Sequence, residues 1–250
     1  MQLRRRILLR VGIAAGSRSE TVRSPTIGRT LAIAAIAAFF AWSAVRSIGA
    51  RPAAEPHYPF PKPAVDVPLA AGKSQQTAVL AGGCFWGVQA VFEHLKGVRS
   101  VAAGYSGGRI NSPSYEMVSS GLTGHAESVS ITFDPAQISY GQVLMIFFSV
   151  AHDPTQLNRQ GPDDGTQYRS AIFYSNEEQQ RIATAYIGQL DAAKVYPRKI
   201  VTEVVPFKAF FRAEEHHQDY LQTHTDQPYI VYNDLPKLEH LKKQFPELYH

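Results

Sequence analysis

One cysteine occurs in the 250 residues, Cys84, and it stands in Gly82-Gly83-Cys84-Phe85-Trp86-Gly87. This hexapeptide joins an expected strand over 77–81 to an expected helix that begins near Cys84. A sulfur at that junction lies against unpaired backbone N–H groups and the positive end of the helix dipole. Both favour the thiolate, which is the nucleophilic form. The glycines let the backbone turn sharply beside the sulfur, and Phe85 and Trp86 can wall an apolar pocket. A solitary cysteine is most often a small buried hydrophobe; the surrounding residues argue here for a nucleophile.

A nucleophile needs partners. Glu127, in Gly124-His125-Ala126-Glu127, falls at the start of an expected strand. In a partly apolar cleft its carboxyl would have a raised pKa and could act as an acid near neutrality; on a solvated strand edge it would do nothing. Tyr115, in Ser112-Pro113-Ser114-Tyr115, and Tyr168, in Gly165-Thr166-Gln167-Tyr168, carry phenols able to donate to a polar substrate oxygen. Asp163 and Asp164 follow Pro162 and precede Gly165, which is also ordinary turn chemistry. Three of the nine histidines, His125, His152 and His217, are candidates for a base beside the sulfur. His216 and His217 are adjacent, so on a helix they would point about 100° apart and not share a metal. One cysteine rules out an intrachain disulfide and the thiolate cages of structural zinc and iron–sulfur sites. No Gly-Lys-Ser/Thr follows the glycines, so they form no phosphate cradle.

The elements that must hold these residues read as β-α-β-β-α-β with one added helix and strand. After the strand over 77–81, Phe85, Val88, Phe92 and Leu95 recur at helical spacing. Residues 98–105 are strand-like, and a glycine-, serine- and proline-rich loop runs over 106–124. Val129, Ile131 and Phe133 alternate with polar residues, the mark of a half-buried strand. Ser139 can cap a helix through Val150. A polar loop over 152–167 leads to a strand over 170–174, and Ser175 with Glu178 forms a capping box for a helix to about Ala193. A strand over 200–205 and a short helix over 236–244 follow. The order is that of a ferredoxin-like two-layer α+β sandwich, a mixed sheet with helices on one face and an irregular C-terminal extension.

Charge divides the chain. Residues 1–69 hold ten Arg and Lys against three acids, whereas residues 70–250 hold fifteen against eighteen. The basic character belongs to the tail, and the folded part offers no electrostatic case for nucleic acid. Seven arginines from Arg4 to Arg29 precede an uncharged run over 30–45, which Arg46 closes. This pattern predicts a signal peptide or signal anchor over 1–50, hence export to the periplasm or anchoring in an inner membrane facing it. Six prolines over 51–69 predict a semi-extended linker, with the catalytic domain over 70–250.

Several separate segments, in order, resemble the A-type peptide-methionine sulfoxide reductases. They are Gly83-Cys84-Phe85-Trp86-Gly87, Gly104-Tyr105-Ser106-Gly107-Gly108, Pro113-Ser114-Tyr115, Gly124-His125-Ala126-Glu127 and His152-Asp153-Pro154. Arg159-Gln160-Gly161, Asp163 and the stretch from Gly165 to Ala171 continue the match, and His217-Gln218 with Tyr220 fits more loosely. The resemblance implies an α+β ferredoxin-like fold and reduction of the S epimer of methionine sulfoxide, free or in proteins. It implies Cys84 as the nucleophile, Glu127 as the proton donor to the departing oxygen, and Tyr115 and Tyr168 as hydrogen-bond donors to it. Asp163 would order the oxygen end, and Phe85 and Trp86 would hold the substrate methyl group. No metal or organic cofactor is implied, and a monomer is expected.

Two departures stand out. Many relatives have glutamate where this chain has Gln89, and many carry resolving cysteines near the C-terminus, where this chain has none. A sulfenic acid on Cys84 would then be resolved by an external thiol: thioredoxin, a glutaredoxin or a small thiol. Two other readings compete. A cysteine hydrolase or acyltransferase would need a base histidine at the sulfur and no reductant; a non-enzymatic envelope binding module would need neither.

Overall fold

The computed structural model describes residues 60–72 and 74–250. The expected targeting segment over 1–50 and the first part of the expected linker lie outside the described residues.

Strand β1, Gln76–Gly82, leads into helix α1, Phe85–Glu93, and strand β2, Val98–Ser106. The glycine- and serine-rich stretch contains a short helix, α2, Tyr115–Ser119, before β3, Ala126–Phe133. Helix α3, Tyr140–Ile146, runs on into a π-turn, Phe147–Ala151. The expected polar loop holds a miniature hairpin, β4, Arg159–Gln160, paired with β5, Asp163–Asp164. Then come β6, Ser170–Tyr174, α4, Glu177–Ala192, β7, Glu203–Pro206, and β8, Phe210–Arg212. Helices α5, Tyr220–Thr223, and α6, Leu235–Gln244, close the chain around a second π-turn, Ile230–Asp234.

The architecture is α+β. Six strands form one mixed sheet in the order β7-β6-β1-β3-β2-β8, parallel only between β6 and β7. Strand alternation assigns the two faces. Ala78 and Leu80 of β1, with Val129, Ile131 and Phe133 of β3, join the large core beneath the helices. Val79 and Ala81 turn the other way, into a small cluster with Phe173, Val205 and Phe210. Glu127 is two residues before Val129, so it points toward the helix layer. In the pairing of β2 with β3 it sits opposite Tyr105.

Caps explain two helix starts. Ser139 accepts from Gln142 N–H at 3.1 Å while Gln142 Oε1 accepts from Ser139 N–H at 3.0 Å, the reciprocal box expected there. At α4 the expected box on Ser175 and Glu178 is displaced by one residue. Asn176 Oδ1 accepts from Gln179 N–H, and Gln179 Oε1 accepts from Ser175 N–H, both at 2.9 Å. Both registers satisfy the sequence pattern; burial decides, because Gln179 also donates from Nε2 to Thr77 O at 2.9 Å, which ties α4 to β1.

The domain begins earlier than Ala70. Phe60 is buried in the main core. Tyr186 donates to Pro61 O at 2.6 Å, and Gln189 donates to Lys62 O while accepting from Ala64 N–H, both at 2.8 Å. Asp66 accepts from the Ser139 hydroxyl at 2.5 Å and from Gly141 N–H at 2.9 Å. Proline removes donors but leaves carbonyls, and an extended proline-rich strap can lay those carbonyls on helix side chains. Residues 60–69 are therefore part of the domain, not linker. Phe60→Ala is expected to cost about 3 kcal/mol of stability in denaturant unfolding; a free linker residue would cost nothing measurable.

Candidate active site

The site is assembled at the N-terminus of α1. Gly83 has φ of +89°, a conformation open to glycine, and its α-carbon packs under the Gln160 side chain. Cys84 follows as the helix N-cap, but its side chain makes no cap hydrogen bond to the turn. The cap comes from across the fold: Phe85 N–H donates to Glu127 Oε2 at 3.0 Å. The carboxyl group of β3 is thus fixed one residue from the sulfur. Cys84 is 8% exposed and Glu127 2% exposed.

Burial drives the electrostatics. Glu127 is raised to about 8, chiefly by desolvation, with the hydrogen bond from Phe85 opposing and Asp163 adding to the rise. At neutral pH it therefore holds its proton. Cys84 contradicts the expectation of a favoured thiolate. Desolvation, then Glu127, then Asp234 push its thiol well up, and the hydrogen bond from Trp86 N–H and the charge of Lys237 oppose them less strongly. The helix N-terminus is present, but at a buried sulfur the loss of water and two carboxyl groups outweigh it. The resting sulfur is a thiol.

Tyr115 and Tyr168 converge on the same spot. Each is half-buried and pushed up first by desolvation, and each feels the charges of Glu127, Asp163 and Cys84. Both remain phenols and donors at neutral pH. Tyr115 comes from the first turn of α2, where its N–H donates to Glu214 Oε1 at 2.8 Å and its ring lies 4.3 Å from His217. Tyr168 ends the 3-10 turn Thr166–Tyr168. Asp163 is carried by the miniature hairpin and is raised, first by burial. Its carboxylate accepts from the Tyr229 hydroxyl.

Phe85 and Trp86 divide their work. Phe85 is buried, with Tyr105 at 5.9 Å and His217 at 5.4 Å between ring centroids. Trp86 is part-exposed and is held on three sides. It stacks on Tyr220 at 3.8 Å, meets the edge of Tyr229 at 5.9 Å, and donates from Nε1 to His217 Nδ1 at 3.3 Å. These rings build an apolar wall next to the helix start that carries Cys84, with Tyr115 packed on the same His217.

None of the three histidines is hydrogen-bonded to Cys84. His125 accepts from Gly108 N–H at 3.1 Å and bonds Ile110 O at 2.8 Å, so it shapes the loop after β2. His152 joins Phe147 O to the Ser170 hydroxyl, and burial lowers it to about 4. His217 accepts from Trp86 at Nδ1, which assigns its proton to Nε2, and burial lowers its pKa. Gln89 is buried too. It donates to Val101 O at 3.3 Å and to Asp219 Oδ1 at 3.2 Å, and accepts from Asp219 N–H at 3.1 Å. It ties α1 to the C-terminal segment. Sequence reasoning missed Tyr229, Asp234 and Lys237, which lie in a stretch with no motif. Among the described residues, no group of three or more His, Cys, Asp or Glu is placed to hold a metal ion.

The family profile for peptide methionine sulfoxide reductase matches residues 76–249. The chain belongs to that family. It is 58% identical over 179 residues to peptide methionine sulfoxide reductase MsrA 2 of Mesorhizobium japonicum, covering 72% of this chain and 92% of that one. Among solved structures it resembles methionine sulfoxide reductase A of Corynebacterium diphtheriae, with 34% identity, a TM-score of 0.55, and coverage of 60% and 76% of the two chains. Mxr1 from Saccharomyces cerevisiae in reduced form is similar at 32% identity and a TM-score of 0.55, covering 61% of this chain and 87% of that one. As in the family, the chain is an oxidoreductase acting on peptide-methionine (S)-S-oxide, and the match spans β1 to the end of α6.

Proposed function

We propose that this chain repairs oxidised proteins by reducing the S epimer of methionine sulfoxide, protein-bound or free, at Cys84. The observation that carries the mechanism is the buried Glu127 carboxyl, pinned by Phe85 N–H one residue from the sulfur, where desolvation favours its protonated form. The sulfoxide oxygen accepts from Glu127, Tyr115 and Tyr168, which draws electrons from the substrate sulfur. The substrate methyl group faces Phe85 and Trp86, and Asp163, held by Tyr229, orders the oxygen end. With oxygen and methyl each assigned a side, only one epimer presents its sulfur to Cys84.

The electrons balance simply. The Cys84 sulfur attacks the substrate sulfur, its proton passes to Glu127, and Glu127's own proton passes to the oxygen. The S–O bond of the substrate breaks and one forms on Cys84, which is oxidised to the sulfenic acid as methionine leaves. An external thiol then forms a mixed disulfide with Cys84 and releases water, and a second thiol frees the enzyme. Thioredoxin, a glutaredoxin or a small thiol supplies these equivalents, because Cys84 is the only cysteine in the sequence. The hydrolase and acyltransferase reading is weaker, since His125 and His152 spend both ring nitrogens on structure and His217 accepts from Trp86 at Nδ1, leaving Nε2 as a buried donor rather than a base.

The test is one turnover without reductant. One methionine per chain should form from the S epimer and none from the R epimer, and Cys84 should gain the mass of one oxygen. Methionine formed without that added mass would refute the sulfenic acid.

The sheet is read as ferredoxin-like. Its support is the run β6-β1-β3-β2, with α1 and α3 as the two crossovers of a β-α-β-β-α-β unit. The enzyme is further proposed to act as a monomer outside the cytoplasm, cleaved from or anchored by residues 1–50. The support is the arginine-rich lead and the apolar run over 30–45. A fusion of residues 1–69 to a reporter active only after export should be active; an inactive, cytoplasmic fusion would overturn it.

A further inference from the structure

One buried ionisable group takes no part in this chemistry. Asp234, the last residue of the π-turn Ile230–Asp234, is 0% exposed. Its Oδ1 accepts from Lys237 Nζ at 3.0 Å, while its Oδ2 is buried with no hydrogen-bond partner. An aspartate at the start of a helix ordinarily caps that helix. Asp234 stands at the N-cap of α6 without doing so. Its side chain instead lies against α1 at Gly87, where a Cβ would collide with Oδ1 and come within 2.8 Å of Lys237 Nζ. Gly87 is three residues beyond Cys84, on the same side of the helix. A second reason for glycine in this motif is therefore to admit an ion pair from the C-terminal segment beside the sulfur. Burying a carboxylate with one oxygen unpaired is costly, and burial raises the pKa of Asp234 despite Lys237.

We propose that Asp234 and Lys237 are positioning residues for the Cys84 sulfur: the ammonium is the counter-ion for the negative charge that the sulfur takes on in reaction, and the carboxylate offsets it at rest. This rests on Cys84 being the reacting sulfur. The other groups facing the sulfur do not supply that cation. Glu127 opposes negative charge on the sulfur, and Tyr115, Tyr168 and Tyr229 face it as neutral phenols. Lys237 is the cation acting on Cys84, and its charge is also felt by Asp163 and His152. The arrangement suits a protein with one cysteine. A standing thiolate would invite adventitious oxidation to the sulfenic acid, and no second thiol in the chain could trap that acid as a disulfide before it is oxidised further.

The test is the pH dependence of Cys84 alkylation by iodoacetamide in the full chain, read as adduct mass. It uses no methionine sulfoxide, so it stands or falls separately from the reductase chemistry. Asp234→Asn should lower the midpoint by about one pH unit and Lys237→Met should raise it by about one. The double substitution should fall between them, and Lys237→Arg should restore the wild-type midpoint. A merely structural pair would shift both single variants the same way, and that result would overturn the proposal. Lys237 is part-exposed, with 19% of its side chain accessible, on the first turn of α6. If Asp234→Asn fails to fold, Lys237→Met still decides: an unmoved midpoint in folded protein refutes the counter-ion.

Discussion

Glu127→Gln is expected to lower kcat/KM for S-methionine sulfoxide by about 10³-fold and, at the same time, to make the protein more stable at pH 8. The loss follows from the acid form. Glutamine can accept from Phe85 N–H as Glu127 does, but it cannot hand a proton to the departing oxygen or take one from Cys84. Because the wild-type carboxyl titrates at about 8, single-turnover rates should be sustained below that pH and fall as pH rises through it. The variant should lack that limb. The stability gain has the opposite sign for the same reason. The folded-state pKa lies above the ordinary 4.5, so the stability contributed by Glu127 is full below about pH 4.5 and is lost as pH rises through about 8. Over that window the loss is on the order of 4 kcal/mol, and glutamine does not incur it. Denaturant unfolding at pH 5 and pH 8 should show the variant's advantage growing with pH. A constant advantage would mean that Glu127 is already ionised at rest, and the acid role would fail with it.

Cys84→Ser should form no methionine from either epimer, even with excess dithiothreitol, in a protein that unfolds at a wild-type denaturant concentration. The exchange is nearly isosteric in a buried pocket, and Cys84 makes no side-chain cap bond that the fold relies on. Chemically the two atoms differ. Sulfur is polarisable and can accept the substrate oxygen as a sulfenic acid; a serine oxygen would have to become a peroxide. A hydrolase built on an acyl intermediate could keep activity with serine, so residual turnover that needs no thiol would return the hydrolase reading to contention.

Much of this was legible along the chain. Alternation in Val129, Ile131 and Phe133 placed the strand that carries Glu127 and, by parity, the face to which it points. The helical spacing of Phe85, Val88 and Phe92 placed Cys84 at a helix start. The resembling segments from Gly83 to Ala171 hold Cys84, Tyr115, Glu127, Asp163 and Tyr168, which the fold brings within electrostatic reach of one another. Short elements were not legible: α2 spans 5 residues and β4 and β5 span 2 each, too few for any period to show. The proline-rich segment was misread because proline content reports backbone stiffness, not whether α4 offers Tyr186 and Gln189 to its carbonyls.

By itself the sequence determined which atoms could react: a single sulfur at a glycine turn, a carboxyl at the start of a strand, and phenols in the loops. It also determined that any second thiol must come from outside. The tertiary structure alone decided the charge those atoms carry. Whether Cys84 rests as thiolate or thiol depends on how much water is excluded and which charges lie within reach, and Glu127, Asp234 and Lys237 are 43, 150 and 153 positions away along the chain. Residue type and helix position are local properties, whereas desolvation and Coulomb interactions sum over whatever the fold brings near.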